Sequence, residues 1–336
     1  MKSWGKSRWA RSPLVYDPAM IRVFTDPRCL VHRVPPGFPE RPERLSGIVE
    51  HLRGNGWPFA EPSSDAGGPE GWRAAVEAVH DAEYVGRLER AVARGDSLLD
   101  SADNPLSAGS WEASWAAAGC ALAGADWVAA GEDRAAFAAV RPPGHHAEQA
   151  TAMGFCFFNN VAVAAEHLRR RHGASRVAIF DFDVHHGNGT QHLFEERGDI
   201  FYASTHQYPF YPGTGAASET GRGAGAGATL NVPLPAGTGD DVYEEAITGR
   251  ILPALRRFAP DVLLLSAGFD AWRADPLGGM RVSEAGFRRW GELLRQLAAE
   301  VCGGRVLAVL EGGYDLASLP RLVESHLEGL AGGRID

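Results

Sequence analysis

Asp181, Asp183 and His185 occupy alternate positions in DFDVHHGNGT (181–190). In an extended segment, alternate side chains leave on the same side. Two carboxylates and an imidazole would then meet at one strand end. Carboxylates that close repel each other and lose hydration unless a cation binds them. Asp270 closes a second apolar run, in SAGFDA (266–271), and can reach the same point. Carboxylates plus imidazole, with a position left open for water, suit a catalytic zinc ion, although iron or cobalt would accept the same ligands. The plainer alternative is that Asp181 and Asp183 only cap the following helix. Asp270 and the further histidines weigh against it.

His145 and His146 form a second chemical pair, held by Pro142, Pro143 and Gly144. Imidazole is the side chain best matched to proton transfer near neutral pH. Asn188 and Asp181 are candidates to set the tautomers of these rings from behind. Tyr314 follows Gly312 and Gly313, where its phenol could donate to a developing oxyanion. Taken singly, the histidines read as a surface turn and the tyrosine as packing.

The elements that must position these groups alternate in type. Helical stretches are expected at 111–130, 160–172, 241–258, 283–302 and 317–330. Apolar runs at 136–140, 177–183, 199–205, 228–233, 262–266 and 305–310 lack polar alternation, which suits strands covered on both faces. The alternation predicts an α/β fold with a mostly parallel sheet. The polar motifs follow the ends of these runs, where open parallel sheets place their sites.

Composition sets the outer limits. The 336 residues are 45% apolar and 22% charged, with a net charge of −9. That length fits one large domain or two smaller ones. No repeat and no Pro/Ser-rich linker divides the chain, so a single domain over 21–336 is expected. Residues 1–20, with Lys2, Lys6, Arg8 and Arg11, read as a weakly basic extension without a secretory apolar stretch. The acidic balance gives no global field for nucleic acid or anionic lipid. No apolar run is long enough to span a bilayer. Cys29, Cys120, Cys156 and Cys302 make no CxxC pair, so free thiols and a cytoplasmic setting are expected. The glycine-rich stretch 213–227 precedes a strand rather than opening a helix, which is the wrong context for a phosphate-binding loop.

Together the motifs resemble the histone deacetylase family, in the branch that holds class II deacetylases, bacterial deacetylase-like amidohydrolases and acetylpolyamine amidohydrolases. The resemblance rests on PPGFPERPERL (35–45), RPPGHHA (141–147), MGFCFFNN (153–160), DFDVHHGNGT (181–190), STH (204–206) with FYPGTG (210–215), SAGFDA (266–271) with DPLGG (275–279), and EGGY (311–314). It implies the arginase/deacetylase fold, an eight-stranded parallel sheet flanked by helices. It implies one Zn2+ held by Asp183, His185 and Asp270, with His146 as general base, His145 as its electrostatic or acid partner, and Tyr314 on the oxyanion. It also implies a structural K+ near Asp181, Ser204 and Thr205, with the backbone of Asp183 and His185. Asn188 would be the class II partner of His146. Phe155, Tyr211, Gly154, Gly312 and Leu277 would shape an acyl-amine channel, with Asp103 at its rim and Arg44 near an inner cavity.

The expected reaction is hydrolysis of an acetyl amide on an acylated lysine or another acetylated amine. Leu277 stands where the eukaryotic polyamine deacetylases that resemble this chain carry glutamate, and Phe38 where the family often has histidine. An acetylpolyamine substrate is the nearest rival. A non-catalytic acyl-lysine binding module is a further alternative, which the pair His145–His146 argues against. A homo-oligomer is compatible with the sequence.

Overall fold

Apolar runs without polar alternation become strands that no solvent reaches. Every residue of Val177–Asp181, Val262–Ala267 and Val306–Leu310 is buried. The computed structural model describes residues 21–62, 68–131 and 134–332, so the expected extension over 1–20 lies outside the described residues. Its strands are β1 (Ile21–Phe24), β2 (Phe59–Ala60), β3 (Leu98–Leu99), β4 (Ser101–Pro105), β5 (Ala135–Ala138), β6 (Val177–Asp181), β7 (Ile200–Gln207), β8 (Thr229–Leu234), β9 (Val262–Ala267) and β10 (Val306–Leu310). Eight of them form one sheet in the order β2-β1-β5-β10-β9-β6-β7-β8. All its pairings are parallel. β3 and β4 form a separate antiparallel pair.

The helices are α1 (Pro42–Gly54), α2 (Gly68–Val76), α3 (Ala82–Arg94), α4 (Ser110–Ala129), α5 (Asn160–His172), α6 (Asn188–Phe194), α7 (Asp240–Ala246), α8 (Leu252–Phe258), α9 (Glu284–Cys302) and α10 (Leu319–Leu330). They cover the sheet, and no helix among the described residues is long and apolar enough to cross a membrane. All four cysteines are free and buried.

The long helix expected over 241–258 is interrupted. α7 passes into a wide turn at Ile247–Ile251 before α8 resumes. Pro253 lacks an N–H, and its ring crowds the carbonyl four residues earlier, which widens the preceding turn. β1 and β2 carry no sequence signal of their own. They are four and two residues long, too short for a period to emerge. Parallel pairing of β1 with β5 supplies what local pattern does not.

Register aims the site. Ser204, Asp181, Ser266 and Val309 lie side by side across β7, β6, β9 and β10. The segments that follow these strands therefore leave from the same edge.

A buried ion network ties the segment after β10 to those after β1 and β5. Glu40 receives a two-pronged contact from Arg141, at 2.8 Å to each carboxylate oxygen, and a third from Arg44 at 3.1 Å. Arg44 also donates to the carbonyls of Glu311 and Gly313, at 2.5 and 2.6 Å. All three charged residues of the network are buried. Burial disfavours ionised Glu40, but the two guanidiniums outweigh it and hold the carboxyl below its usual range. Glu40→Ala would strand two buried cations, so a loss of about 3–5 kcal/mol in urea-unfolding stability is expected.

Candidate active site

The segment after β6 turns Asp183 and His185 inward, and the segment after β9 brings Asp270 to them. One ligand-type atom from each of the three lies within 4.8 Å of the others, and all three residues are buried. Backbone N–H groups aim the carboxylates. Gly312 donates to Asp183 Oδ2 at 2.8 Å, and Val184 donates to Asp270 Oδ1 at 2.8 Å. Gly312 has to be glycine, because a Cβ there would overlap the carboxylates of both Asp183 and Asp270.

His185 Nδ1 lies 3.0 Å from Asp183 Oδ1 and 3.2 Å from Asp270 Oδ2. One N–H cannot point at both oxygens, and Asp270 Oδ2 is buried without a directed donor. Two buried carboxylates, one orphaned oxygen and an imidazole make a donor set that fits a divalent cation. The charge balance says the same. Burial disfavours the charged form of His185, yet Asp183 and Asp270 overcome it and lift its pKa to about 10. Burial, then the charge of Asp183, pushes Asp270 up to about 7. The two carboxylates thus favour a proton on His185. Binding a divalent ion at neutral pH should displace it, releasing at least about one proton. Calorimetric titration in buffers of different ionisation enthalpy reads that number.

His145 and His146 lie beside this cluster with ring centroids 4.1 Å apart. Glu311 Oε2 accepts from the N–H groups of Gly144 and His145, at 2.6 and 3.1 Å, and so fixes the loop. The pair is split electrically. Burial works against charge on His145, but Asp181, Asp183 and Glu311 prevail and raise it to about 10. Burial and the positive charges of His145 and His185 hold His146 well below the usual imidazole value. Two neighbouring groups driven apart in this way are suited to opposite proton-transfer roles. His145 Nδ1 meets Asp181 Oδ2 at 3.0 Å, and His146 Nδ1 meets Asn188 Oδ1 at 2.7 Å.

Above them opens a cavity of about 330 Å³ lined by Asp103, His146, Gly154, Phe155, His185, Phe210, Tyr211, Leu277 and Tyr314. Gly154 sits at φ +55°, and a Cβ there would overlap the His146 ring. Phe155 is held at φ 70°, a left-handed conformation that costs a bulky residue about 1–3 kcal/mol. Its ring lies edge-on to Phe38 and Tyr314, at centroid distances of 5.1 and 6.0 Å. Burial raises the Tyr314 pKa well above its usual value and keeps the phenol a donor. Arg44 packs on the Tyr314 ring at 4.7 Å. Asp103 accepts from Tyr211 Oη at 2.9 Å and from Gly154 N–H at 3.2 Å.

Three contributors carried no separate signal in the sequence. Phe210 stacks on His185 at 5.3 Å. Glu311 holds the histidine loop. Asp275 accepts from Leu277 and Tyr314 N–H groups at 2.9 and 2.7 Å, which joins the channel wall to the phenol. All three lay inside quoted motifs, FYPGTG, EGGY and DPLGG. Ser204 Oγ, opposite Asp181, bonds His206 Nδ1 at 2.8 Å, and Thr205 Oγ1 is buried without a partner. A second grouping, Asp126 with His167 and His172, lies outside this site and is half-exposed. Arg171, 3.9 Å from its carboxylate, already offsets that charge, so no cation is assigned there.

Known proteins share this architecture. The sequence profile described as the histone deacetylase domain matches residues 38–330. "Histone deacetylase 14, chloroplastic" of Arabidopsis thaliana is 44% identical over 267 residues, covering 76% of this chain and 62% of that protein. The chain thus spans less than two thirds of the length of that relative. "Histone deacetylase-like amidohydrolase" of Pseudomonas aeruginosa is 43% identical over 257 residues, covering 76% of this chain and 67% of that one. The solved acetylpolyamine aminohydrolase from Burkholderia pseudomallei superposes with a TM-score of 0.81 at 34% identity, over 92% of this chain and 98% of that one. The profile covers most of the chain and the fold matches along nearly all of it, so the chain belongs to the histone deacetylase family of amidohydrolases.

Proposed function

We propose that this chain hydrolyses an acetyl amide on a lysine-like amine, releasing acetate and the free amine. The observation that carries the reading is the floor of the 330 Å³ cavity, where the His146 imidazole and the Tyr314 phenol lie beside the Asp183–His185–Asp270 cluster. In this reading those three residues hold one zinc ion, which supplies Lewis acidity toward the amide carbonyl and the attacking water. His146 takes the water's proton through Nε2. Tyr314 donates its phenol hydrogen bond to the carbonyl oxygen as that oxygen gains charge. His145 adds positive charge beside it, and a protonated imidazole then donates to the departing amine, which is a poor leaving group without that proton.

We extend the reading to a potassium ion near Asp181, Ser204 and Thr205, with the backbone of Asp183 and His185. The buried Thr205 hydroxyl without a partner supports it. Residues from 21 onward are taken as one catalytic unit on the eight-stranded sheet.

Leu277 favours lysine over polyamine. It gives the channel an uncharged wall where a polyamine's second ammonium would seek a carboxylate. Rates on an acetyl-lysine peptide and on acetylputrescine test this directly. The peptide should be preferred, and a strong preference for acetylputrescine would defeat the lysine reading. Leu277→Glu should shift kcat/KM toward acetylputrescine by roughly ten-fold, the effect of one charge at about 10 Å in a partly screened site.

A further inference from the structure

Asn188 raises a question of polarity. Its amide carries an acceptor at one end and a donor at the other. Facing His146, it could accept from Nδ1–H or, turned over, donate to an unprotonated Nδ1. Only the first leaves the lone pair on Nε2, where a base needs it. The bond between His146 Nδ1 and Asn188 Oδ1 does not decide the matter alone, because imidazole and amide can reverse together.

The residue behind Asn188 breaks the symmetry. Asn188 Nδ2 bonds Glu148 Oε1. An ionised carboxylate accepts and never donates, so only the amide's NH2 end can face it. Oδ1 must then turn to His146, and Nδ1 must carry the proton. Glu148 is itself fixed. Its carbonyl accepts from His80 Nδ1 at 2.9 Å, and its N–H donates to the Thr151 carbonyl at 3.0 Å. His80 Nε2 accepts from the Asn159 N–H at 2.8 Å, which leaves Nδ1 as its donor. His192 Nδ1 donates to the same Glu148 oxygen at 2.8 Å. That contact, ahead of the opposing effect of burial, raises the His192 pKa.

We propose that Glu148 is a positioning residue for His146. Its acceptor-only carboxylate orients the Asn188 amide, and the amide holds His146 in the Nδ1–H tautomer with Nε2 free toward the channel. His192 holds the Glu148 carboxylate in place. The effect on rate rests on His146 acting as base, but the tautomer can be measured without turnover.

The test is histidine 15N NMR of the intact protein, joined to kinetics. In the unmodified protein His146 should show a protonated Nδ1 and an unprotonated Nε2. Glu148→Gln keeps the shape but adds a donor, so it should yield a mixture of tautomers. kcat should then fall about 10–100-fold, with KM little changed. Asn188→Asp added to Glu148→Gln restores an acceptor-only partner and should bring back the single Nδ1–H form. A packing role would not produce that rescue. An Nε2–H tautomer in the unmodified protein, an unchanged tautomer in Glu148→Gln, or no recovery in the double variant would each overturn the proposal. If the tautomer follows Glu148 while the protein releases no acetate, the hydrolase reading fails and the positioning inference stands.

Discussion

Asp270→Ala is expected to remove bound divalent metal and amide hydrolysis together. The side chain contributes the one buried carboxylate oxygen of the cluster with no directed donor. Without it, Asp183 and His185 remain as two ligands, one carboxylate and one imidazole. Changes to groups that merely orient metal ligands cost about 10–100-fold in affinity or activity, so loss of a direct ligand should exceed that range. The fold should survive, because Asp270 stands in a repulsive relation to Asp183 and its removal leaves no unmatched cation. Elemental analysis after dialysis, acetate release and urea unfolding on one preparation separate these effects. An active, metal-loaded Asp270→Ala protein would remove Asp270 from the site.

The second large effect separates rate from metal. His146→Gln should lower kcat by about 10²–10⁴-fold, the usual contribution of a positioned general base. Tyr314→Phe should lower it by about 10²–10³-fold, the usual contribution of an oxyanion donor. Neither side chain is among the three clustered ligand-type groups, so metal content should stay at one ion per chain in both. KM should move little, because each group is asked to act on charge that develops after substrate binds. Wild-type rates in either variant would refute the role given to that residue. Loss of metal from either would mean that the cluster is held together differently.

Much of this site could be read from residue types at strand ends. DFDVHH and Asp270 at a second strand end pointed to the buried cluster, but Asp183 and His185 lie in the bend after β6 rather than in the strand, and Asp181 turns to His145 instead. Continuous apolarity of VAIF, VLLLS and VLAVL anticipated a sheet covered on both faces. Other features depend on partners far away in the chain. Glu40 meets Arg141 about a hundred residues later, and nothing near Glu40 announces it. β1 and β2 exist through pairing rather than pattern. Phe210, Glu311 and Asp275 act by filling space or by ordering backbone, so they carry no chemical signature of their own.

The polarity of the His145–His146 pair also lay beyond the sequence. Both are histidines in one tight turn. Their difference arises because Asp181, Asp183 and Glu311 raise one ring, while burial and neighbouring positive charge depress the other. That split follows from three separate strand ends meeting, which adjacency in the chain does not reveal.

The most direct measurement is anomalous diffraction at the zinc absorption edge from crystals grown with one equivalent of zinc. A single strong peak within about 2.0–2.2 Å of one atom each from Asp183, His185 and Asp270, below Tyr314, is the predicted result. A peak elsewhere, or none at this cluster under saturating zinc, would contradict the account.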